Sequence, residues 1–329
     1  MASSLDPLFR PQSVAVIGAS RNPGTIGYQI VDNLVHHRFQ GVVYPVNPNA
    51  SAIHSIPAYP SVSDIPGPVD LAIIVVPKEL VIGVAEECGT KGVRAVVVIS
   101  AGFREVGGEG IEREEALVEV VRRHKMRLVG PNCMGLMNTV PTVSMNATFA
   151  PTMPPAGATS FLSQSGAMGV TILDYASEYG VGIHQFASIG NKPDVSSNDL
   201  IEYWEYDPGT RVILMYLESF GNPRHFTPIA RRVSRKKPIA VVKAGRTEAG
   251  ARAASSHTGA LAGADLAIDA LLAQCGVLRA ESVEELFDRA MAFEHLPAPA
   301  GNRVAIVTNA GGPGIIIADA CESLGLCLL

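Results

Sequence analysis

The sequence predicts an α/β protein built from a Rossmann-type domain, a flavodoxin-like domain and the start of a third α/β domain. Short apolar runs rich in Val and Ile alternate with segments whose apolar residues recur every three or four positions. This alternation is typical of helices packed on both faces of a parallel sheet. Two stretches rich in Pro and small residues, 151–157 and 297–301, interrupt it. We interpret them as linkers, which gives domains at residues 1–150, 151–298 and 299–329.

The first domain opens with a buried strand over residues 14–17, a glycine-rich turn and a helix over 27–36. Continuous apolar strands separated by helices indicate a parallel sheet covered on both faces, which is the Rossmann-type arrangement. The remaining strands are predicted at 42–46, 71–76, 93–99 and 128–129, and the remaining helices at 78–91 and 112–125.

The second domain repeats this scheme, and the third only begins it. A strand starting at residue 304 and one following helix cannot bury a core alone. We therefore expect the third domain to be incomplete here or completed elsewhere. The second domain is predicted to have strands at 159–162, 184–189, 211–217 and 239–242, and helices at 166–179, 198–206 and 222–235.

The composition is that of a folded globular chain. Its 329 residues are 47% hydrophobic and 17% charged, with a formal net charge of −5. A negative chain has no general attraction to nucleic acid or to anionic membranes, so we expect neither as a partner. No apolar run approaches the roughly 18 residues of a membrane span.

The cysteine pattern predicts neither a disulfide framework nor a metal site. The five cysteines form no CxxC pair and no cluster with histidine. Residues 1–12 lack the apolar core of a secretory signal. Together these observations predict a cytoplasmic protein.

The glycine-rich loop over residues 18–27 (GASRNPGTIG) follows the first strand and opens a helix. Glycines permit a tight turn, and a helix N-terminus offers unpaired N–H groups to a phosphate. The loop departs from the pattern GxGxxG, however. Asn47 also follows the second strand, where a dinucleotide-binding fold offers an acid to the ribose. The sequence therefore favours another phosphorylated adenine carrier over NAD.

Two more loops of this kind occur at residues 163–169 (SQSGAMG) and 308–314 (TNAGGPG), each between a strand and a helix. Each alone could be a structural turn with a helix cap. Three such loops in one chain favour several anion sites, or one anion held by more than one helix terminus.

His257 and Glu218 are the candidate catalytic residues. His257 lies among small residues in a predicted loop, and a neutral imidazole can accept and pass on a phosphoryl group. A structural or simple surface histidine is the alternative. Glu218 ends a predicted strand, where a carboxylate lies on the functional edge of a parallel sheet. It could hydrogen-bond one nitrogen of His257, or it could simply cap the following helix.

Taken together, the segments resemble the NDP-forming acyl-CoA synthetases, the superfamily of ADP-forming acetyl-CoA synthetase and succinyl-CoA synthetase. The resemblance covers essentially the whole chain and is closer to the acetyl-CoA branch. The segments that carry it are IGASRNPGTIG, PVNPN, ISAGFREVGGEG, GPNCMGLMN, FLSQSGAMG, GNKPDVSSNDLIEY, GRTEAGARAASSHTGALAG and TNAGGPG.

The resemblance implies roles for particular residues. His257 would be the phosphorylated histidine and Glu218 its partner. The phosphate would be cradled by Ser165, Gly166, Ala167, Gly311 and Gly312. Coenzyme A would be bound by Gly18, Ala19, Ser20, Arg21, Asn22, Pro23, Asn47, Pro77, Ile99, Ser100, Ala101 and Asn132.

The implied reaction converts acyl-CoA, phosphate and ADP to carboxylic acid, CoA and ATP through an acyl phosphate and a phosphohistidine, and it is reversible. ATP or ADP and Mg²⁺ would bind at an ATP-grasp region, either a partner β subunit or a missing C-terminal region. The other partners would be a small carboxylic acid and its acyl-CoA, and we expect an oligomer. Asn49 replaces a lysine that related sequences often place near a CoA phosphate, which leaves that contact without support.

Three alternatives stay open at this point. The chain could be a non-catalytic CoA-binding regulatory module, as in lysine acetyltransferases that carry a synthetase-like region. It could also be an NAD-dependent oxidoreductase or an inactive fragment. The presence of both His257 and Glu218 argues against a pure sensor, which has no need of a phosphoryl acceptor.

Overall fold

The computed structural model describes residues 3–245, 265–297 and 299–329. The chain forms two compact units, one extending to Glu294 and one from His295 to Leu329. Among the described helices, none has both the length and the apolar character needed to cross a membrane. All five cysteines are free thiols, and burial raises the pKa of Cys88 and of Cys133 to about 12.

The first sheet of the larger unit is parallel and has five strands in the order β2-β1-β5-β6-β7. Its central strands are buried on both faces, which is why they appear as unbroken apolar runs in the sequence. The strands between residues 13 and 129 are β1 Ser13–Ile17, β2 Val42–Val46, β3 Ala52–Ile53, β4 Ile56–Pro57, β5 Leu71–Ile74, β6 Ala95–Val98 and β7 Arg127–Val129. The helices are α1 Asp6–Phe9, α2 Ile26–His36, α3 Lys78–Lys91 and α4 Glu109–Arg123, with a 3₁₀ turn at Arg104–Val106.

The second sheet has seven strands in the order β14-β13-β12-β10-β11-β8-β9. Its strands are β8 Gly135–Asn138, β9 Met145–Thr148, β10 Ala156–Ser163, β11 Ile183–Ser188, β12 Val212–Leu217, β13 Ile239–Lys243 and β14 Leu278–Ala280. Its helices are α5 Gly166–Glu178, α6 Ser197–Tyr206, α7 Pro223–Val233, α8 Asp265–Cys275 and α9 Val283–His295.

The hairpin of β8 and β9 lies before the first predicted linker but pairs with the second sheet. β8 runs antiparallel to β11, whereas β10 to β14 run parallel to one another. The second sheet therefore includes residues 135–148, which precede residue 150. The domain divisions at residues 150 and 298 stay predictions.

The smaller unit contains β15 Arg303–Val304, α10 Gly311–Ser323 and β16 Cys327–Leu328. β15 and β16 pair in parallel, so the unit is a single strand–helix–strand crossover. The predicted strand at residue 304 is present but short, and the predicted glycine-rich turn leads directly into α10.

Candidate active site

The glycine loop after β1 is shaped by two close backbone approaches. Gly18 has φ of +92°, and a Cβ there would lie 2.2 Å from the carbonyl oxygen of Val75. A Cβ on Gly27 would lie 2.0 Å from the carbonyl oxygen of Gly18. Neither position accepts a side chain, so the loop is held tightly against the end of β5 and the start of α2.

Local hydrogen bonds fix the rest of this loop. Ser20 Oγ accepts from Asn22 N–H and Asn22 Oδ1 accepts from Gly24 N–H, both at 3.0 Å. Arg21 Nε donates to the carbonyl of Ala52 at 2.9 Å. Asn47 Nδ2 donates to the carbonyl of Ala19 at 2.7 Å, which places Asn47 as a support of the loop. Pro23, in the same loop, is exposed.

The other predicted CoA residues of the first sheet lie at the same edge. Pro77 follows β5 at the start of α3, and Ile99 to Ala101 follow β6. Ser100 Oγ donates to the carbonyl of Val76, and Ser100 accepts a hydrogen bond from Asn132 N–H at 3.0 Å. Because the strands are parallel, their carboxyl ends form one ligand-binding edge. Ile99 is buried, so its side chain belongs to the core and only its backbone can face a ligand.

The second sheet presents a helix N-terminus at its own carboxyl edge. Ser165 caps α5, with its hydroxyl accepting from Met168 N–H at 3.4 Å. The first turn of α5 carries Gly166, which has no side chain, and Ala167, whose side chain is a methyl group. The backbone N–H groups of this turn are therefore left accessible. This arrangement suits a phosphate or another anion.

Glu218 lies beside that helix start. It follows β12, which pairs in parallel with the β10 strand that leads into α5. Gln164 Oε1 accepts from the backbone N–H groups of Glu218 and Ser219, at 3.0 and 2.9 Å. The predicted catalytic carboxylate and the predicted anion-binding helix are thus brought to one edge and joined through Gln164.

Two lysines lie around Glu218. The pKa of Lys192 is lowered to about 8, chiefly by burial; the charge of Glu218 opposes this shift and the charge of Lys243 contributes to it. Burial is also the main cause of the lowered pKa of Lys243 at the end of β13. The attraction between Glu218 and both ammonium groups creates a concentrated charge cluster at this edge.

Sequence reasoning missed Lys192, Gln164, Asn191 and Glu105, which line a small polar cavity together with Glu218. The signal was present in the segment GNKPDVSS, where polar residues directly follow the buried strand β11. The cavity has a volume of about 70 Å³. Its lining residues are Arg104, Glu105, Asn132, Gln164, Gly190, Asn191, Lys192, Glu218 and Ser219.

This cavity joins the edges of the two sheets. Asn191 Nδ2 donates to Glu105 Oε2 at 2.6 Å and to Glu114 Oε2 at 2.8 Å. Glu105 Oε1 in turn accepts from the N–H groups of Gly102 and Phe103, directly after the predicted CoA residues 99–101. Burial opposes ionisation of Glu105, but these hydrogen bonds hold its pKa below the usual value.

The three remaining predicted residues are His257, Gly311 and Gly312. His257 falls outside the described residues. Gly311 and Gly312 begin α10 in the smaller unit and are exposed, with Ala310 at the helix cap. Their predicted contact with a phosphate stays a prediction.

The glycine loop at the edge of the first sheet and the charged residues around the start of α5 at the edge of the second sheet are features of an α/β protein that binds phosphorylated ligands. Comparison with known families agrees. The CoA binding domain family matches residues 12–139, and the succinyl-CoA ligase like flavodoxin domain family matches residues 156–293.

Comparison with individual relatives shows which CoA ligases this chain is similar to. The chain is 47% identical to the α subunit of acetate–CoA ligase (ADP-forming) I of Pyrococcus furiosus, over 98% of this chain and 70% of that protein. It is 49% identical to acetate–CoA ligase (ADP-forming) I of Archaeoglobus fulgidus, over 98% of this chain and 46% of that protein. Its sequence thus spans about half the length of some relatives.

A solved structure is similar throughout. It is a dinucleotide-forming acetyl-coenzyme A synthetase 1 of Ca. Korarchaeum cryptofilum in complex with phosphate and ADP. The TM-score is 0.94 at 44% identity, covering 98% of this chain and 69% of that one. The chain belongs to the NDP-forming acyl-CoA synthetase family, as an α-subunit-like part. This confirms the predicted resemblance and fold class, and the relatives do not favour a non-catalytic module.

Proposed function

We propose that this chain is the CoA-binding and phosphoryl-accepting part of an ADP-forming acyl-CoA synthetase acting on a small carboxylic acid. The observation that carries the proposal is the position of Glu218. It lies at the carboxyl edge of the second sheet beside the N-terminus of α5. The relative described with phosphate and ADP supports phosphate and nucleotide as ligands of the whole enzyme.

The first step joins phosphate to the acyl group. A phosphate oxygen attacks the thioester carbon, the C–S bond breaks, and CoA leaves as a thiolate that takes up a proton. The glycine loop over residues 18–23 and the residues 77, 99–101 and 132 would hold CoA, because they share one edge of the first sheet.

In the second step the phosphoryl group moves to His257. The imidazole nitrogen attacks phosphorus, the P–O bond to the acyl group breaks, and the carboxylate leaves. The other ring nitrogen would keep its proton and donate a hydrogen bond to the Glu218 carboxylate, whose negative charge would stabilise the positive ring. The N-terminus of α5 would stabilise the negative phosphoryl oxygens in a fixed geometry.

The last step needs a nucleotide-binding partner. The P–N bond would break as an oxygen of ADP takes the phosphoryl group. ADP and Mg²⁺ would be bound by an ATP-grasp region, in a separate β subunit or elsewhere in the same polypeptide. In that assembly the chain is expected to act as part of an oligomer.

The test is phosphorylation of the full chain by ³²P-labelled acetyl phosphate. We expect wild-type protein to carry a label that is stable in alkali and labile in acid, as a phosphoramidate is. We expect His257→Ala to carry none, and Glu218→Gln to be labelled at least tenfold more slowly. Equal labelling of His257→Ala would refute the assignment.

A further inference from the structure

Lys192 occupies a strained turn at the end of β11. Its φ is +53°, which is uncommon for a residue with a side chain. Gly190, two residues earlier, also has φ of +53°, and a Cβ there would lie 2.2 Å from the carbonyl oxygen of Pro131. The turn is therefore held in one conformation by its surroundings, and strain of this kind is often kept where function requires it.

The ammonium group of Lys192 joins the ends of three neighbouring strands. Its Nζ donates to Gln164 Oε1 at 3.1 Å, to Ser219 Oγ at 2.9 Å and to the carbonyl oxygen of Ser219. Gln164 follows β10, Lys192 follows β11 and Ser219 follows β12, and these strands are adjacent in the sheet. The three donors of the ammonium group are thus all used.

These contacts converge on Glu218. Gln164 Oε1, which accepts from Lys192, also accepts from the backbone N–H groups of Glu218 and Ser219. Lys192 therefore holds the backbone of Glu218 from two sides, through Gln164 and through Ser219. Its positive charge also attracts the Glu218 carboxylate.

We propose that Lys192 is a positioning residue for phosphoryl transfer, fixing Glu218 through Gln164 and Ser219. This inference rests on the proposed function, because Glu218 must act on the phosphorylated histidine. In this role Lys192 acts through Glu218 rather than as a catalytic residue. A lysine is suited to the task because one compact cation can satisfy three acceptors.

The role predicts a particular pH dependence. The pKa of Lys192 is lowered to about 8, chiefly by burial, so its charge is lost as pH rises through that value. The charged groups facing it are Glu218 and Lys243 on neighbouring strand ends, and Arg104, Glu105 and Glu114 on the first-sheet side. Phosphorylation should therefore slow above about pH 8 in the wild type.

The experiment compares variants of the full chain by their initial rate of labelling with acetyl phosphate between pH 6.5 and 9.5. We expect Lys192→Met to slow labelling at least tenfold and to remove the decline above pH 8. Lys192→Arg should retain most of the rate and move the decline to higher pH, because a guanidinium stays charged. Ser219→Ala, a milder change, should slow labelling a few-fold.

Lys237→Met is the matched control. Lys237 also has a lowered pKa, chiefly through burial, and donates to the carbonyls of Trp204 and Asp207, but it precedes β13 at the opposite edge of the sheet. It should lower thermal stability without changing the rate or its pH profile. Calorimetry measures the affinity of each Lys192 variant for CoA. An affinity within twofold of the wild-type value would show that the variant is folded.

The outcomes separate the two proposals. If the wild type is labelled, and Lys192→Met or Ser219→Ala is labelled at the same rate and with the same pH profile, the role of Lys192 is overturned. The proposed function is then left intact. Unlabelled wild type, or labelled His257→Ala, would instead remove the proposed function and this inference with it.

Discussion

At the scale of single residues, Gly18 decides whether the glycine loop over residues 18–27 can form. Its positive φ and the carbonyl of Val75, 2.2 Å from a Cβ, leave no room for a side chain. Gly24, in the same loop, differs because a Cβ there would meet its nearest atom, Asn22 Oδ1, at 3.5 Å. That is ordinary van der Waals contact, so the two glycines make a matched pair.

We predict that Gly18→Ala destabilises the protein by at least about 2 kcal/mol, since strain and overlap with backbone both oppose it. CoA affinity should fall more than tenfold because the loop must move. Urea unfolding and calorimetric titration with CoA measure these effects, with NAD as the comparison ligand. Gly24→Ala should change unfolding by less than about 0.5 kcal/mol. Equal stabilities of the two variants would contradict the steric argument.

The sequence could single out Gly18, Glu218 and Ser165 as candidates because glycine, glutamate and serine each have a specific use at the end of a strand or the start of a helix. Lys192 and Gln164 also follow strands, but that position does not indicate which residues their side chains contact. Their role arises from contacts between residues that are 27 to 28 positions apart in the chain. Such contacts exist only once β10, β11 and β12 are aligned, so periodicity and residue type alone could not reveal them.

At the scale of elements, most of the parallel strands were predicted, whereas the short parallel strands β14 and β16 and the hairpin of β8 and β9 were not. Apolar runs in the sequence indicate parallel strands. This hairpin instead contains the buried polar residues Asn138, Asn146 and Thr148. Their polar groups are satisfied inside the protein. Asn138 Nδ2 donates to the carbonyl of Phe9 at 2.8 Å, and Asn146 Nδ2 donates to that of Ala150 at 3.1 Å. Buried polar residues with internal partners leave no apolar pattern to read.

The 3₁₀ turn at residues 104–106 and the end of β11 are joined by Asn191. Its amide donates to the carboxylates of Glu105 and Glu114, which come from the first-sheet side. Glu105 also holds the backbone after residues 99–101. A disturbance at Asn191 should therefore reach the predicted CoA residues 99–101 through one intervening side chain, that of Glu105.

We predict that Asn191→Ala destabilises the protein by about 1–3 kcal/mol, since two carboxylates lose a donor. Asn191→Asp should cost more, because it places a third carboxylate against the other two. CoA affinity should weaken several-fold in both variants. Urea unfolding at pH 8 and calorimetry test this ranking. An Asp variant as stable as the Ala variant would show that Asn191 does not bridge the acids.

At the scale of the whole molecule, contacts distant in sequence join the N-terminal segment to the second sheet. Arg10 lies 2.6 Å from Asp207 Oδ1, across 197 positions of the chain. On the other oxygen, Asp207 accepts from Thr210 Oγ1 at 2.7 Å and lies 2.7 Å from His184 Nε2. Asp207 is buried, so this carboxylate helps to hold the N-terminal segment against the second sheet.

This carboxylate makes global stability depend on pH. Burial opposes its ionisation, but His184, Thr210 and Arg10 lower the pKa of Asp207 to about 2. A carboxylate whose pKa is lower in the folded than in the unfolded state stabilises the fold above the unfolded value. That stabilisation is complete above about pH 4 and is lost as pH falls towards 2.

We predict that Asp207→Asn lowers the free energy of unfolding by about 2 kcal/mol at pH 7, because this is the stabilisation that corresponds to the lowering of the Asp207 pKa on folding. The difference from wild type should shrink below about pH 4, because the Asp207 carboxylate takes up a proton in the unfolded chain before it does so in the folded protein. Glu115→Gln is the control, because Glu115 is 68% exposed and its contact with Arg104 spans 3.4 Å. An exposed pair of that kind contributes less than about 1 kcal/mol. Urea unfolding from pH 7 to pH 3 makes the comparison, and a difference independent of pH would mean that Asp207 acts through packing rather than through its charge.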